Sequence, residues 1–349
     1  MNIQENVSLK ELTTFNIGGN ARFFVRIKNV AELQDVLAFA REKKLALFIL
    51  GGGSNILVDD AGFPGLVLKI DITDIVINSV KENKVLVSAG AGVEWDSFVA
   101  GTVQQALYGL ENLSLIPGTV GAAPVQNIGA YGSEVQNTIV WVDAVDSDTG
   151  ILRRFSHAEC AFAYRTSFFK TPAGKKYIII RVGFELEKNG TLNTSYRDIA
   201  DHIKNNSITE QELTLQKVRD IVIDIRTKKL PSLKEYGTAG SFFKNPIIKK
   251  ELYIELLKDF PSLPGYSNQS ASAEASTDTI KVPAAWILDN LCGFKGFRDG
   301  EVGVYKNQAL VLINFGNATS GQIKNLAEKM IACVKEKTNI ILEREVEYI

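Results

Sequence analysis

The chain has 349 residues, of which 45% are hydrophobic and 23% charged, and its 39 basic and 40 acidic side chains leave a formal net charge of -1 at pH 7. This length predicts two or three domains, each able to bury a core of its own. The balanced charge gives no electrostatic basis for binding nucleic acid or an anionic membrane. Residues 1–15 lack the apolar segment of a signal peptide, and no later apolar run is long enough to span a bilayer, so we expect a cytoplasmic protein.

The three cysteines, Cys160, Cys292 and Cys333, lie far apart and belong to no CxxC or Cys/His cluster. Their odd number and wide spacing predict reduced thiols rather than a disulfide framework or a zinc site. We therefore expect no bound metal.

Helices alternate with short strands in the first half of the chain. Asn29 and Glu32 have the spacing of a capping box, and apolar residues then recur at helical intervals as far as Lys44. Strands are predicted at 46–50, 56–58, 66–68, 75–77, 85–88, 139–145, 152–155 and 177–186, and a helix ended by Gly109 is predicted at 95–106. Residues 148–150, DTG, indicate a hairpin between two of these strands. The pattern predicts an α+β fold.

The second half is less regular. Residues 188–212 are polar and loop-like, and Thr214 is expected to cap a helix whose apolar stripe runs to Ile225 before Pro231 stops it. Residues 267–279 have low complexity and predict a mobile surface loop. A strand at 309–313, a helix striped over 323–334 and a final strand at 340–349 follow.

Two glycine-rich stretches are candidate ligand loops. The first loop, residues 51–55, reads Gly51-Gly52-Gly53-Ser54-Asn55 between two predicted strands. The second loop, residues 110–132, carries Gly118, Gly121, Gly129 and Gly132 with no charge after Glu111. Glycines let backbone N–H groups approach a ligand, although the same composition is typical of tight turns. Neither G-x-G-x-x-G nor G-x-x-x-x-G-K-[ST] is present, so phosphate would be held by backbone N–H groups together with Ser54 and Asn55.

Several polar residues outside these loops admit two interpretations. Arg165 lies among aromatic residues, which is typical of a surface cation stacked on a ring. Arg226 and Lys229 share a face of a helix C-terminus, which also suits cations that complement the helix dipole. Ser241 lies at a tight turn that does not match G-x-S-x-G, so a hydrolase triad is not expected. Period-2 spacing places Glu343, Glu345 and Glu347 on one strand face, where a buried carboxyl would have a raised pKa.

Taken together, the stretches 14–19, 51–57, 116–132, 164–170, 240–246, 306–314 and 342–346 resemble the UDP-N-acetylenolpyruvoylglucosamine reductases, flavoenzymes that make UDP-N-acetylmuramate for bacterial cell walls. The resemblance implies an FAD-binding fold of the vanillyl-alcohol-oxidase type in two subdomains, with a smaller α+β substrate domain. It places the subdomains at 1–68 and at 69–230 with the C-terminal strand 338–349, and the substrate domain at 231–337. The 267–279 loop looks longer than the usual connection in the family.

The resemblance also implies FAD bound without a covalent link, since no His or Cys lies near the first loop, and NADPH as the hydride donor. The residues that it assigns to the cofactor are Gly51, Gly52, Gly53, Ser54, Asn55, Ile116, Pro117, Gly118, Gly121, Ala122, Asn127, Gly129 and Tyr131. Arg226, one turn before Lys229, is expected near FAD or the substrate. Those that it assigns to the substrate, UDP-N-acetylglucosamine enolpyruvate, are Tyr196, Lys229, Asn245 and Gln308.

The chemistry implied by the resemblance is hydride transfer from NADPH by way of flavin N5 to C3 of the enolpyruvyl group, with a proton from Ser241 to C2. Arg165 and Glu345 would steady the negative charge that develops on the substrate. NADPH and the UDP-sugar would use one pocket in turn, and we expect a monomer. A flavin oxidase of the same fold with another small substrate, or a binding protein that uses the fold without chemistry, are the alternatives.

Overall fold

The computed structural model describes residues 2–78, 82–267 and 278–349. Apart from Ser267, Asp278 and Thr279, the predicted loop at 267–279 lies outside the described residues. The described helices are α1 (Val30–Glu42), α2 (Trp95–Gln104), α3 (Arg197–Asn205), α4 (Leu215–Lys229), α5 (Lys250–Asp259), α6 (Ala284–Asn290) and α7 (Ser320–Thr338).

The described strands are β1 (Gln4–Ser8), β2 (Asn20–Ile27), β3 (Leu47–Leu50), β4 (Ile56–Leu57), β5 (Phe63–Ile70), β6 (Ile75–Asn78), β7 (Lys84–Gly90), β8 (Gly129–Ala130), β9 (Ser133–Glu134), β10 (Ile139–Asp146), β11 (Leu152–Ser156), β12 (Tyr177–Glu187), β13 (Ile247–Lys249), β14 (Tyr266–Ser267), β15 (Thr279–Lys281), β16 (Arg298–Asp299), β17 (Val302–Val304), β18 (Leu312–Asn314) and β19 (Glu347–Tyr348). Within the described residues, none of the seven helices is both long and apolar enough to cross a membrane.

The chain forms two compact units. Unit 1 comprises the described residues of Met1–Val7, Ala21–Gly52 and Pro64–Thr227, and unit 2 comprises Ser8–Asn20, Gly53–Phe63 and the described residues of Lys228–Ile349. The finer division into two flavin subdomains and a substrate domain stays a prediction.

Unit 1 is built around two sheets. One has the strand order β1-β2-β5-β3, and the other has the order β11-β10-β12-β7-β6. The central strand β12 is buried along most of its length, which explains its nearly continuous apolar sequence. Helix α1 begins where the Asn29 side chain accepts a hydrogen bond of 2.9 Å from the Glu32 backbone N–H. Its buried face, which includes Leu33 and Leu37, belongs to one core cluster with Leu66 and Leu68 of β5.

The predicted hairpin is confirmed by the antiparallel pairing of β10 with β11. Its turn is stabilised by Asp146, whose carboxylate accepts hydrogen bonds from the backbone N–H groups of Asp148 (2.9 Å) and Thr149 (3.1 Å). Gly150 follows at φ +74°, a conformation that glycine adopts without strain. Helix α4 is capped as predicted, since Thr214 Oγ1 accepts a hydrogen bond of 3.1 Å from the Lys217 N–H.

Unit 2 contains three small sheets and helices α5 to α7. The sheets have the strand orders β13-β15-β14, β16-β17-β18 and β19-β4. Helix α7 begins with a complete capping box formed by Thr319 and Gln322, and its buried face includes Ile323, Leu326 and Met330. The strand predicted over 340–349 is shorter than expected, because only β19 has regular pairing and it is parallel to β4.

Two sequence-based expectations are wrong. Residues 188–212 are not a continuous loop, since they contain α3, a helix with Ile199 as its buried residue and polar side chains around it. Cys292 and Cys333 are not reduced thiols, because they form a disulfide with a Cα–Cα distance of 6.1 Å. They lie 41 residues apart in sequence. Spacing alone could not show that the fold brings them together, and Cys160 stays a free, buried thiol.

Candidate active site

The two glycine-rich stretches contact each other within unit 1. A Cβ atom added at Gly52 would lie 2.6 Å from the Cα of Gly118, and one added at Gly51 would lie 3.1 Å from Thr119 Oγ1 and 3.3 Å from Ala122 Cβ. A Cβ at Gly121 would lie 2.5 Å from Ala91 Cβ. Gly52 is therefore required by the close approach of one backbone to another, and Gly121 by its packing against Ala91, reasons that the sequence did not reveal.

A half-buried lysine contacts the first loop. Lys69 on β5 donates a hydrogen bond from Nζ to the carbonyl oxygen of Gly51. Burial lowers the pKa of Lys69, and the nearby carboxylate of Asp71 opposes that shift. Loops rich in glycine and alanine offer backbone N–H groups rather than side chains to a ligand, and the Lys69 cation adds positive charge beside them. These features suit a cofactor that carries a diphosphate.

Asn127 attaches the second loop to segments that follow it in the chain. It is fully buried, its Nδ2 donates to Glu134 Oε2 (2.9 Å) and to the Ala163 carbonyl (3.1 Å), and its Oδ1 accepts from the Gln136 N–H (3.1 Å). Its backbone has φ +46°, a conformation that asparagine tolerates better than most residues. The side chain thus organises the loop, and the contact with a cofactor that the sequence predicts for Asn127 stays a prediction.

Arg165 lies in a tight turn whose ends, Ala163 and Thr166, pair antiparallel. Its backbone has φ +54°, and its guanidinium donates from Nη2 to the Gly129 carbonyl at 2.7 Å. The guanidinium also lies 5.3 Å from the centre of the Tyr164 ring, so the simpler interpretation as a stacked cation is partly correct. Unit 1 therefore brings together Arg165 and Gly129, two residues that the sequence assigned to the site.

Tyr131, Tyr196 and Arg226 form a second cluster in unit 1. The tyrosine rings meet edge to face with centroids 5.5 Å apart, and Tyr196 at the start of α3 is 43% exposed. Burial raises the pKa of Tyr131 to about 12, while the neighbouring Arg226 opposes that shift. Loss of solvation lowers the pKa of Arg226, although Tyr131 and Asp96 favour its charged form.

Asn112 ties this cluster together and was not singled out in the sequence. Its Nδ2 donates to the backbone carbonyls of Tyr131 (2.9 Å) and Asn193 (2.8 Å), and Asn193 donates in turn to the Gly132 carbonyl at 3.1 Å. The segment that carries Tyr196 is thereby attached to the second loop. An amide within the glycine-rich stretch was the available signal, but its two partners lie too far along the chain to be inferred from spacing.

Unit 2 holds the remaining predicted residues. Ser241 is exposed and follows Gly240, which has φ +73° and donates its N–H to Thr238 Oγ1 at 3.1 Å. The backbone after Ser241 pairs with the chain near Glu345, since the Glu345 N–H donates to the Phe242 carbonyl at 2.8 Å. Unit 2 therefore places the segments that carry Ser241 and Glu345 side by side.

Other predicted residues of unit 2 have structural partners. Asn245 Oδ1 accepts a hydrogen bond of 3.0 Å from the N–H of Ala284, the first residue of α6. Asn55 Nδ2 donates to the Glu345 carbonyl at 3.1 Å, and Gln308 Oε1 accepts from the Leu310 N–H at 3.3 Å. Gly53, Ser54 and Lys229 also belong to unit 2, whereas Arg165 belongs to unit 1. The roles predicted for all these residues stay predictions.

Known proteins resemble the chain over its whole length. A model of the FAD binding domain matches residues 21–156, and a model of the C-terminal domain of UDP-N-acetylenolpyruvoylglucosamine reductase matches residues 232–349. An FAD-binding domain together with this C-terminal domain defines a flavin-dependent reductase. The predicted enzyme class and the predicted FAD are thereby confirmed.

UDP-N-acetylenolpyruvoylglucosamine reductase of Flavobacterium johnsoniae is 43% identical over 350 residues, with 100% of each chain covered. The protein of the same name from Porphyromonas gingivalis is 39% identical over 349 residues, again with 100% of each chain covered. The chain belongs to the UDP-N-acetylenolpyruvoylglucosamine reductase family. The crystal structure of this reductase from Thermus caldophilus shares the fold, with a TM-score of 0.66 at 23% identity over 100% of this chain and 99% of that one. The predicted α+β fold class is confirmed.

Proposed function

We propose that the chain reduces the enolpyruvyl group of UDP-N-acetylglucosamine enolpyruvate to give UDP-N-acetylmuramate, with FAD bound without a covalent link and NADPH as the hydride donor. The observation that carries this proposal is family membership over the full length, with both the FAD-binding and the C-terminal domain present. No specific observation favours a flavin oxidase or a binding protein without chemistry.

The residues that would hold FAD in unit 1 lie where Gly51 and Gly52 meet the stretch 118–122. When bound, FAD supplies a carrier that accepts a hydride from one molecule and passes it to another. The backbone N–H groups of the two loops would bind and orient the diphosphate. Lys69, beneath Gly51, would add positive charge next to it.

Arg165 would stabilise the negative charge that develops on the substrate when C3 receives a hydride. Its hydrogen bond to the Gly129 carbonyl, at 2.7 Å, supports this role because a guanidinium held in place needs little reorganisation during the reaction. The backbone of Arg165 is left-handed, with φ +54°. This also supports a functional role, since strained conformations of residues other than glycine cluster at functional sites.

Ser241 would donate the proton to C2 of the substrate. Its exposed position directly after the bend at Gly240 supports this role, because a proton donor must be able to reach a bound ligand. A serine hydroxyl is a weak acid, so the alkoxide that it leaves needs stabilisation by nearby donors or cations. Glu345 would help to fix the reacting end of the substrate, and its backbone pairs with the residue that follows Ser241.

The UDP-sugar would be bound by Tyr196, Lys229, Asn245 and Gln308. The 43% exposure of Tyr196 supports a contact with ligand, and its packing on Tyr131 holds the ring at the surface of unit 1. The Ala284 N–H donates to the amide oxygen of Asn245 and so orients this side chain. A side chain with a fixed orientation is suited to hydrogen-bond a ligand.

An anaerobic titration tests the proposal. The purified yellow protein should lose its visible absorbance with NADPH and regain it with UDP-N-acetylglucosamine enolpyruvate. Recovery with oxygen but not with that substrate would instead indicate an oxidase, and a protein that binds no flavin would refute the proposal.

Stopped-flow measurements on Ser241→Ala then test the assigned proton donor. We expect bleaching by NADPH at nearly the wild-type rate and slower recovery with substrate by about 10²-fold or more. Ser156→Ala, at an exposed serine that is hydrogen-bonded to Glu159, is the control and should behave as wild type. Equal losses in both half-reactions would remove Ser241 from the role of proton donor.

A further inference from the structure

Leu115 is the residue just before Ile116 and Pro117. Both its backbone N–H and its backbone carbonyl are hydrogen-bonded to side chains. Its φ is +58°, in the left-handed region that leucine rarely adopts. Its N–H donates to Asp96 Oδ1 at 2.5 Å, and its carbonyl accepts a hydrogen bond of 3.2 Å from Arg226 Nε. Two side chains from separate helices therefore fix one unfavourable backbone conformation inside the second loop, just before residues 116–122.

Asp96 is itself held by a second arginine. Arg219 donates to it through two parallel hydrogen bonds, Nη1 to Oδ1 at 2.6 Å and Nη2 to Oδ2 at 2.9 Å, and Arg219 is only 8% exposed. Burial alone would raise the pKa of Asp96, but the hydrogen bonds from Arg219 and from the Leu115 N–H outweigh it and hold that pKa below its usual value. The carboxylate is therefore charged and oriented at neutral pH.

The arrangement has a simple geometric origin. Arg219 and Arg226 are seven residues apart on α4, about two turns, so both reach the same side of the helix. Asp96 lies in the first turn of α2, and the residues around it also bond the loop further along. The Trp95 N–H donates to the Gly118 carbonyl at 3.1 Å, and the Val120 N–H donates to the Val93 carbonyl at 2.9 Å.

We propose that Asp96 and Arg219 are positioning residues for the cofactor, because they hold Leu115 in its left-handed conformation and so give the 116–122 loop the shape that binds FAD. Neither residue is needed as a direct ligand of FAD. The inference rests on the proposed function in so far as this loop binds FAD. The alternative is an ordinary buried ion pair that stabilises unit 1 without affecting the loop.

Affinity for FAD separates these two possibilities. FAD is titrated into apo-protein and its fluorescence is followed. Because Arg219→Gln removes the charged pair that orients Asp96, we expect binding to weaken about tenfold or more. Glycine adopts φ +58° without strain, so adding Leu115→Gly to Arg219→Gln should restore affinity to within about threefold of wild type. A loss caused by general destabilisation would not be rescued in this way.

Arg154→Gln is the matched control. Arg154 also makes two parallel hydrogen bonds to a carboxylate, that of Asp143, at 2.7 and 2.8 Å, and it joins β10 to β11. Its removal should leave the affinity for FAD unchanged. An equal loss of affinity in Arg154→Gln and Arg219→Gln would overturn the inference.

The outcomes distinguish this inference from the proposed function. Failure of the wild-type protein to bind FAD would refute the proposed function, whereas wild-type affinity in Arg219→Gln would refute only the inference. If Arg219→Gln does not fold, Asp96→Asn, which keeps the shape of the side chain and removes its charge, is judged by the same criteria. Hydrogen exchange of the wild-type Leu115 amide gives a further test, since exchange as fast as that of an unprotected amide would also overturn the inference.

Discussion

The guanidinium of Arg165 donates a hydrogen bond of 2.7 Å from Nη2 to the carbonyl oxygen of Gly129, 36 residues earlier in the chain. A Cβ atom at Gly129 would lie 2.9 Å from Nη1 of the same side chain. The arginine thus lies directly against a residue that has no side chain, and the cation is fixed before any ligand arrives.

Arg165→Lys should slow recovery of the flavin absorbance with substrate by about 10²-fold or more, because lysine keeps the charge but lacks the fork of donors that orients it. Bleaching by NADPH should remain near the wild-type rate, as measured by stopped-flow absorbance. Arg298→Ala removes an arginine stacked 3.8 Å over the Phe315 ring and serves as the control. Unchanged turnover in Arg165→Lys would remove Arg165 from the proposed role.

Gly52→Ala should destabilise the apo-protein by about 1–3 kcal/mol and reduce the amount of FAD bound. The reason is that the new methyl group would lie 2.6 Å from a backbone atom of Gly118, so the two loops must separate. Urea unfolding and the flavin content of the purified protein are the measurements.

Gly101→Ala is the control for that substitution. Gly101 lies inside α2, and a Cβ there would meet nothing within 4 Å. Alanine is the better helix former, so this variant should be unchanged or more stable by about 0.5–1 kcal/mol. Wild-type stability and full flavin content in Gly52→Ala would show that the loops tolerate separation.

Tyr131 should make the protein less stable at alkaline pH. Burial raises its pKa to about 12 from the ordinary tyrosine value of 10.0, so the unfolded chain releases this proton at a lower pH than the folded chain does. The contribution is therefore fully present below about pH 10 and is lost as the pH rises toward about 12. Urea unfolding at about pH 9 and about pH 11 should show a larger loss for wild type than for Tyr131→Phe. Equal losses in the two proteins would contradict this assignment.

Reduction of the disulfide between Cys292 and Cys333 should lower stability by about 4 kcal/mol, the chain-entropy estimate for the 41-residue separation. Thermal unfolding with and without a thiol reductant measures the effect, and the double variant Cys292→Ser, Cys333→Ser should not respond to reductant.

Burial raises the pKa of the Cys160 thiol to about 12, so this free cysteine should react with a thiol reagent only after unfolding. More than one reactive thiol in the unfolded, unreduced protein would show that the disulfide is absent.

Elements with a strong local signal could be predicted from the sequence. Helices α1 and α7 have apolar stripes and side-chain caps, and the β10 to β11 hairpin has a turn sequence that specifies it. In contrast, α3 buries only Ile199 and α5 buries only Leu256, so each has too few core residues to show a stripe. Ile199 and Ile203, four residues apart, were the one available sign of α3.

The residues of the site could be predicted only in part, because several of their contacts are with residues far away in the sequence. Motif resemblance selected Arg165 and Tyr131, the position one turn before Lys229 drew attention to Arg226, and the structure places Tyr131 beside Arg226. The sequence could not show that the Asn127 amide donates to the Ala163 carbonyl, or that Asp96 and Arg219 hold Leu115, because these contacts join residues distant in sequence.

Gly52 and Gly118 illustrate how such a contact restricts change. A side chain at Gly52 would meet the Gly118 backbone, and Gly118 has φ +132°, a conformation that other residues rarely adopt, so the pair constrains two distant stretches of sequence at once. Attempts to alter the cofactor preference by random mutagenesis should therefore keep both glycines in every library member and vary other positions of the two loops.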